Sequence, residues 1–124
     1  MILNNKILHL LHIAPINTRK TQLYTIFNIM PLPDLHEFQI LKFVHKFIHH
    51  QDQLSSVYSY HFNKNRIFHS YNTRTKDALH SQSFRTSLGQ RSITYKGAIL
   101  WNAHPEELKS IVSPTKFSRK LKEL

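Results

Sequence analysis

At 124 residues, 40% of them hydrophobic and 11% aromatic, the chain has material for one small packed domain and too much apolar surface for wholesale disorder. It has no cysteine, which excludes disulfides, thiolate metal sites and cysteine nucleophiles. Its 17 basic and 7 acidic residues give a net charge of +10 with histidines neutral, which favours a polyanionic partner, the alternative being that basic composition only keeps the protein soluble.

Ile2, Leu3, Ile7, Leu10 and Leu11 recur at helical spacing and predict an amphipathic helix over about 2–14, ended by Pro15. Thr18 is placed to cap a second helix over about 18–28, with Leu23, Ile26 and Phe27 as its apolar stripe. Met30-Pro31-Leu32-Pro33 is a stiff break. The longest helix is expected over about 33–50. Pro33 suits its first turn, Asp34 and Glu37 its positive end, and Leu35, Phe38, Leu41, Val44, Phe47 and Ile48 line one face. His49 and His50 fall in its last turn, at the negative end of the dipole.

From residue 51 to 83 the periodicity fades, and residues 63–83 are expected to be mostly loop with extended pieces. Ser55, Val57, Tyr58, Tyr60 and Phe62 allow either a short helix or an extended edge. Ser92-Ile93-Thr94-Tyr95 alternates and predicts a strand, which Gly89 would turn back on residues 85–88 as a small hairpin. Gly97 is expected to end that strand, with a short helix beginning at Ile99-Leu100-Trp101. Pro105-Glu106-Glu107-Leu108 is a fresh helix start, and Ser113-Pro114 opens a last helix over about 114–123. The fold class is therefore mainly α with a small β-hairpin. A helical segment covers residues 1–62, and a basic segment of loop, hairpin and short helices covers 63–124. Trp101 is expected to be buried against Leu100, Leu108 or Phe117.

No run approaches the ~20 apolar residues of a transmembrane helix, and residues 1–6 lack signal-peptide character. No membrane partner is expected, and the expected location is intracellular, in nucleus or cytoplasm. Ten histidines raise a metal reading, but His45 is followed by Lys46, and Ile40 stands where His36-Glu37 would need its second histidine, so the zinc-hydrolase spacing is missing. Asp34, Asp52 and Asp77 are scattered, and neither a P-loop nor a nucleophile elbow is present. Catalysis, a metal and a cofactor are accordingly not expected of this chain.

The charge is concentrated. Residues 1–63 hold 5 basic and 3 acidic groups, a net +2, while residues 64–124 hold 12 and 4, a net +8. Tyr71, Asn72, Thr73 and Arg74 supply an aromatic face, an amide, a hydroxyl and a guanidinium in one run, and Arg85, Thr86, Arg91, Ser92, Tyr95 and Lys96 supply more of the same. Lys116, Arg119, Lys120 and Lys122 form a basic tail. Phosphates accept from such donors and unpaired bases stack on such planes, so RNA or DNA is the expected partner, held through phosphates without sequence preference. Tyr95, Arg74 and Arg91 have structural alternatives as packing and carbonyl-bridging groups.

Residues 71–74, read as Y-N-T-R, and residues 85–108, read as R-T-S-L-G-Q-R-S-I-T-Y-K-G-A-I-L-W-N-A-H-P-E-E-L, resemble the extreme C-terminus of reverse transcriptases from jockey-like and related non-LTR retrotransposons. Asn4 to Leu11, Leu23-Tyr24, Ile29 to Leu32, Asp34-Leu35 and residues 42–47 resemble earlier motifs of the same region, in the same order. Ala98 stands where the family usually has proline, and His104 where it usually has leucine. The resemblance implies a thumb-like helical N-terminal half and a role in holding template RNA or target DNA beside an upstream polymerase domain. It implies that the parent's catalytic aspartates lie far upstream. A scaffold fragment or an inactive relic are the alternative roles.

Overall fold

A computed structural model describes residues 2, 3, 6, 7, 10 and 20–124, Lys20 by its backbone alone. The chain divides into two compact units, Met1–His36 and Glu37–Leu124. The boundary expected at 62/63 therefore falls inside the second unit. Of the helix expected over 2–14, residues 2, 3, 6, 7 and 10 are helical, and the remainder lie outside the described residues.

In the first unit, α1 spans Lys20–Ile26. Thr18, expected as its cap, is not among the described residues. The helix stops at Asn28, whose φ of 50° is left-handed. Asn28 N–H donates to Thr25 O (3.2 Å) and Ile29 N–H to Tyr24 O (3.0 Å), the paired bonds that satisfy the last carbonyls of a helix. Leu23 and Tyr24 are buried with Phe27 packed against them, whereas Ile26 is exposed. The apolar stripe thus runs through Tyr24 instead of Ile26.

α2 spans Leu32–His49, close to the expected range. Its part within the second unit buries Phe38, Ile40, Leu41, Val44, His45 and Phe47. That arc is wider than one amphipathic stripe, because the helix is covered on more than one side. Ile40, Leu41, Val44 and Phe47 join Phe62, Leu79, Ala98, Trp101, Leu108 and Phe117 in one core. After α2 come two 3₁₀ turns, Gln51–Gln53 and Ser56–Tyr58, and then α3 (Asn65–Phe68), α4 (Ser87–Gln90), α5 (Ile93–Ala103), α6 (Glu106–Lys109) and α7 (Pro114–Lys122).

The unit is mainly helical, as expected, but the hairpin is not there. Among the described residues the β structure is one antiparallel bridge, Lys64 with Leu79. Residues 87–90 and 93–103 are helical instead, each started by a hydroxyl. Thr86 Oγ1 accepts from Gly89 N–H (3.2 Å) and Ser92 Oγ from Tyr95 N–H (3.4 Å). The four-residue alternation of residues 92–95 is outweighed by a longer pattern that needs a helix, in which Gly97, Ala98 and Trp101 are buried on one side of α5.

Gly97 does not end a strand. It lies inside α5, and a Cβ there would stand 3.0 Å from Val44 Cγ2 and from the Phe62 ring. Gly89 likewise serves no left-handed turn, since among the described residues no glycine has positive φ; a Cβ on it would meet the Phe84 ring at 2.7 Å. Trp101 is buried in the core with Leu108 and Phe117, its ring centroid 5.9 Å from that of Phe117.

Candidate nucleic-acid interface

The run Tyr71, Asn72, Thr73 and Arg74 is the outer part of a loop pinned at its base. Besides the bridge at Lys64 and Leu79, Asn65 N–H donates to Ala78 O (3.0 Å), Arg66 N–H to Lys76 O (3.0 Å) and His80 N–H to Asn63 O (2.7 Å). The Asn65 side-chain amide donates to Thr75 O (2.9 Å). From α5, Asn102 completes the clamp in both directions. Its Nδ2–H donates to Leu79 O (2.8 Å), and its Oδ1 accepts from Leu79 N–H (3.0 Å). These bonds satisfy backbone groups around a buried leucine, the condition for placing a loop of this kind on a core.

The pinned loop leaves Tyr71, Asn72, Thr73, Arg74 and Lys76 exposed. Arg74 lines a groove of about 820 Å³ together with Lys64, Lys109 and the amides of Asn65 and Asn102. Asp77 and Glu106 also line it, but each has a cation beside it. Arg66 lies 3.7 Å from Asp77, and Lys109 lies 2.9 Å from Glu106.

The other expected site residues divide into two kinds. Arg85, Arg91, Lys116, Arg119, Lys120 and Lys122 are exposed. Among the described residues no carboxylate is within ion-pair distance of Arg74, Arg85, Arg91, Lys116, Arg119 or Lys122, while Lys120 meets Glu123 at 3.4 Å. Tyr95 and Lys96 are partly committed to the fold. The Tyr95 ring packs edge-on against Phe84, with centroids 5.8 Å apart, and Lys96 reaches Glu37 at 3.6 Å. Tyr95 thus makes a packing contact, and Arg74 and Arg91 make no side-chain hydrogen bond to a loop carbonyl among the described residues.

The histidines of α2 have a role that helical spacing alone did not disclose. His45 Nε2–H donates to Ile111 O (2.6 Å), His49 Nε2–H to Lys109 O (2.8 Å) and His50 Nε2–H to Val112 O (2.8 Å). Three imidazoles thus hold the link between α6 and α7. His45 is 1% exposed and stacks on Phe117 at 4.2 Å. Burial lowers its pKa below the usual histidine value, and the nearby His49 and His50 act in the same direction. The sequence signal was the run His45, His49, His50 at a helix end; the carbonyls it meets are visible only in the structure.

Among the described residues no group of three or more His, Asp or Glu side chains is arranged to hold a metal ion, and no helix is long and apolar enough to cross a membrane. Compared with known proteins, the chain matches no family model, no curated protein and no solved structure.

Proposed function

We propose that the chain is a non-catalytic, nucleic-acid-binding C-terminal region of a retrotransposon RNA-directed DNA polymerase, acting in nucleus or cytoplasm on template RNA or target DNA. The observation that carries the binding is the state of the arginines. Arg74, Arg85 and Arg91 are exposed and have no carboxylate in reach among the described residues, in a segment of net +8. Free guanidiniums of this kind are available to displace the counterions of a phosphate backbone. The ordered motifs from Asn4 to Leu108 support the parentage.

The test is a titration of single-stranded RNA and DNA at several salt concentrations, with wild type against R74Q/R85Q/R91Q. The triple variant should bind more weakly to every sequence. Its salt slope should flatten by roughly 0.7 unit for each single-strand phosphate that an arginine no longer neutralises. Equal affinity and equal slope would remove the arginines from the interface.

A second reading, a protein-interaction fragment, is favoured by one observation. Ile2, Leu3, Ile7 and Leu10 are all exposed, and apolar side chains grouped in water mark contact surfaces. Binding to a polymerase domain that disappears when Ile7 and Leu10 become glutamine would favour it.

A further inference from the structure

We propose that a groove between α2 and α7 is a second phosphate site, one that takes the backbone of a single nucleic-acid strand through Lys42, Lys46 and Lys122. It rests on the nucleic-acid reading above but names residues of α2 that the charge asymmetry of the sequence passes over. The groove is lined by Lys42, Lys46, Gln53 and Ser118, with His45 and Phe117 beneath, and encloses about 170 Å³.

Its construction follows from the two helices. Phe38, Lys42 and Lys46 are four residues apart on α2 and share a face, as do Pro114, Ser118 and Lys122 on α7. The helices lie side by side. Pro114 and Ser118 line the groove with Lys42 and Lys46, and Lys122 lies beyond them toward Phe38. The Lys122 ammonium is 5.6 Å from the centre of the Phe38 ring, and the Lys42 ammonium is 5.5 Å from the same centre. Lys42 and Lys122 each contact the Phe38 ring, and Lys46 lies one turn along α2 from Lys42.

Among the described residues no carboxylate lines the groove. Asp52, next in sequence to Gln53, lines a different groove with Phe47 and Tyr58. Glu37 is engaged by Lys96 and Glu123 by Lys120. The Lys42 and Lys46 ammoniums therefore meet no lining anion above a floor of His45 and Phe117, and a phosphate entering the groove would be drawn to them. Gln53 and Ser118 supply neutral donors of the kind that hold backbone oxygens. This groove and the one beside Arg74 share no lining residue, so a strand long enough to reach both would meet two separate sets of cations.

The experiment titrates the full chain with oligo(U) and oligo(dT) at several salt concentrations. It compares wild type, K42Q/K46Q, S118E, which puts a carboxylate in the groove, and the arginine variant R74Q/R85Q/R91Q. K42Q/K46Q should lower affinity and flatten the salt slope by roughly 1.4 units, the value for two single-strand phosphates. S118E should lower affinity with every lysine still in place. Circular dichroism of each variant checks that it is folded. If both groove variants bind like wild type while the arginine variant weakens, the groove is overturned and the broader reading stands. If wild type binds neither oligonucleotide, both are overturned.

Discussion

His45 is the residue on which most of the local architecture converges. One imidazole stacks on Phe117, donates to Ile111 O and lies in the core flank of α2. The donation requires Nε2 to carry a proton, and burial favours the neutral ring, so the folded state holds His45 as the Nε2–H tautomer. The pH dependence follows from the direction of the shift. The folded pKa lies below the ordinary histidine value of 6.5, which the unfolded chain retains, so near and below 6.5 the unfolded state binds more protons. Stability should be full above pH 6.5 and fall as the pH drops through it, levelling off once the folded value is passed. His104 moves the same way, chiefly through burial and then Lys109, with Glu37 opposing, so it adds to the effect. Denaturant unfolding across the range from about pH 8 to about pH 5 checks this, and H45Q should flatten the curve while leaving the His104 contribution. A wild-type stability that rises on acidification would contradict the assignment.

The element that departs most from expectation is α5, and Gly97 is the reason it can sit where it does. In an exposed helix interior, glycine to alanine gains about 1 kcal/mol from propensity. Here the added methyl would meet Val44 Cγ2 and the Phe62 ring at 3.0 Å, and both side chains are buried in the core with little room to yield. Overpacking of this kind costs about 1–3 kcal/mol, which at its midpoint exceeds the gain by about 1 kcal/mol. Gly97→Ala should therefore lower stability by roughly 1 kcal/mol, and Gly97→Val by more, as measured by urea unfolding. A stabilised alanine variant would mean that α5 shifts outward freely. The same helix supplies Asn102, whose two bonds to the Leu79 backbone join α5 to the loop that carries Arg74. Packing and candidate site are thus coupled through one side chain. That coupling is not legible in sequence, because Asn102 and Leu79 are 23 residues apart with no repeat between them.

For the molecule as a whole, charge is the dominant feature. A net charge of +10 stores self-repulsion, and the ion pairs among the described residues are few and largely exposed. Raising salt from about 0.01 M to about 0.1 M shortens the screening length from ~30 Å to ~10 Å, which should stabilise the fold. A gain of about 1 kcal/mol would raise Tm by roughly 4 °C for a chain of this size. Scanning calorimetry across that range checks it. A falling Tm would show that the short ion pairs outweigh the long-range repulsion. The salt response of binding should run the opposite way, since released counterions drive association at low salt.

The helices α2 and α7, the burial of Trp101 and the excess of cations after residue 63 could all be read from local pattern, because each depends on spacing or composition within a few turns. The state of residues 85–97 could not. Four alternating residues satisfy a strand and the first turn of a helix equally well, and the choice fell to Val44 and Phe62, which offer Gly97 and Ala98 a surface only a close-packed helix fills. The histidines followed the same logic. Their spacing placed them on one helix end, but what they hold, the carbonyls of Lys109, Ile111 and Val112, became visible only when α6 and α7 folded back against α2. Lys42 and Lys46 lie in the segment of low net charge, and only the packing of α7 beside them turned two solvated lysines into one wall of a groove. Hydrophobic periodicity is a property of one segment, whereas close approach, carbonyl capture and charge gathering are properties of pairs distant in sequence, and only tertiary contact creates them.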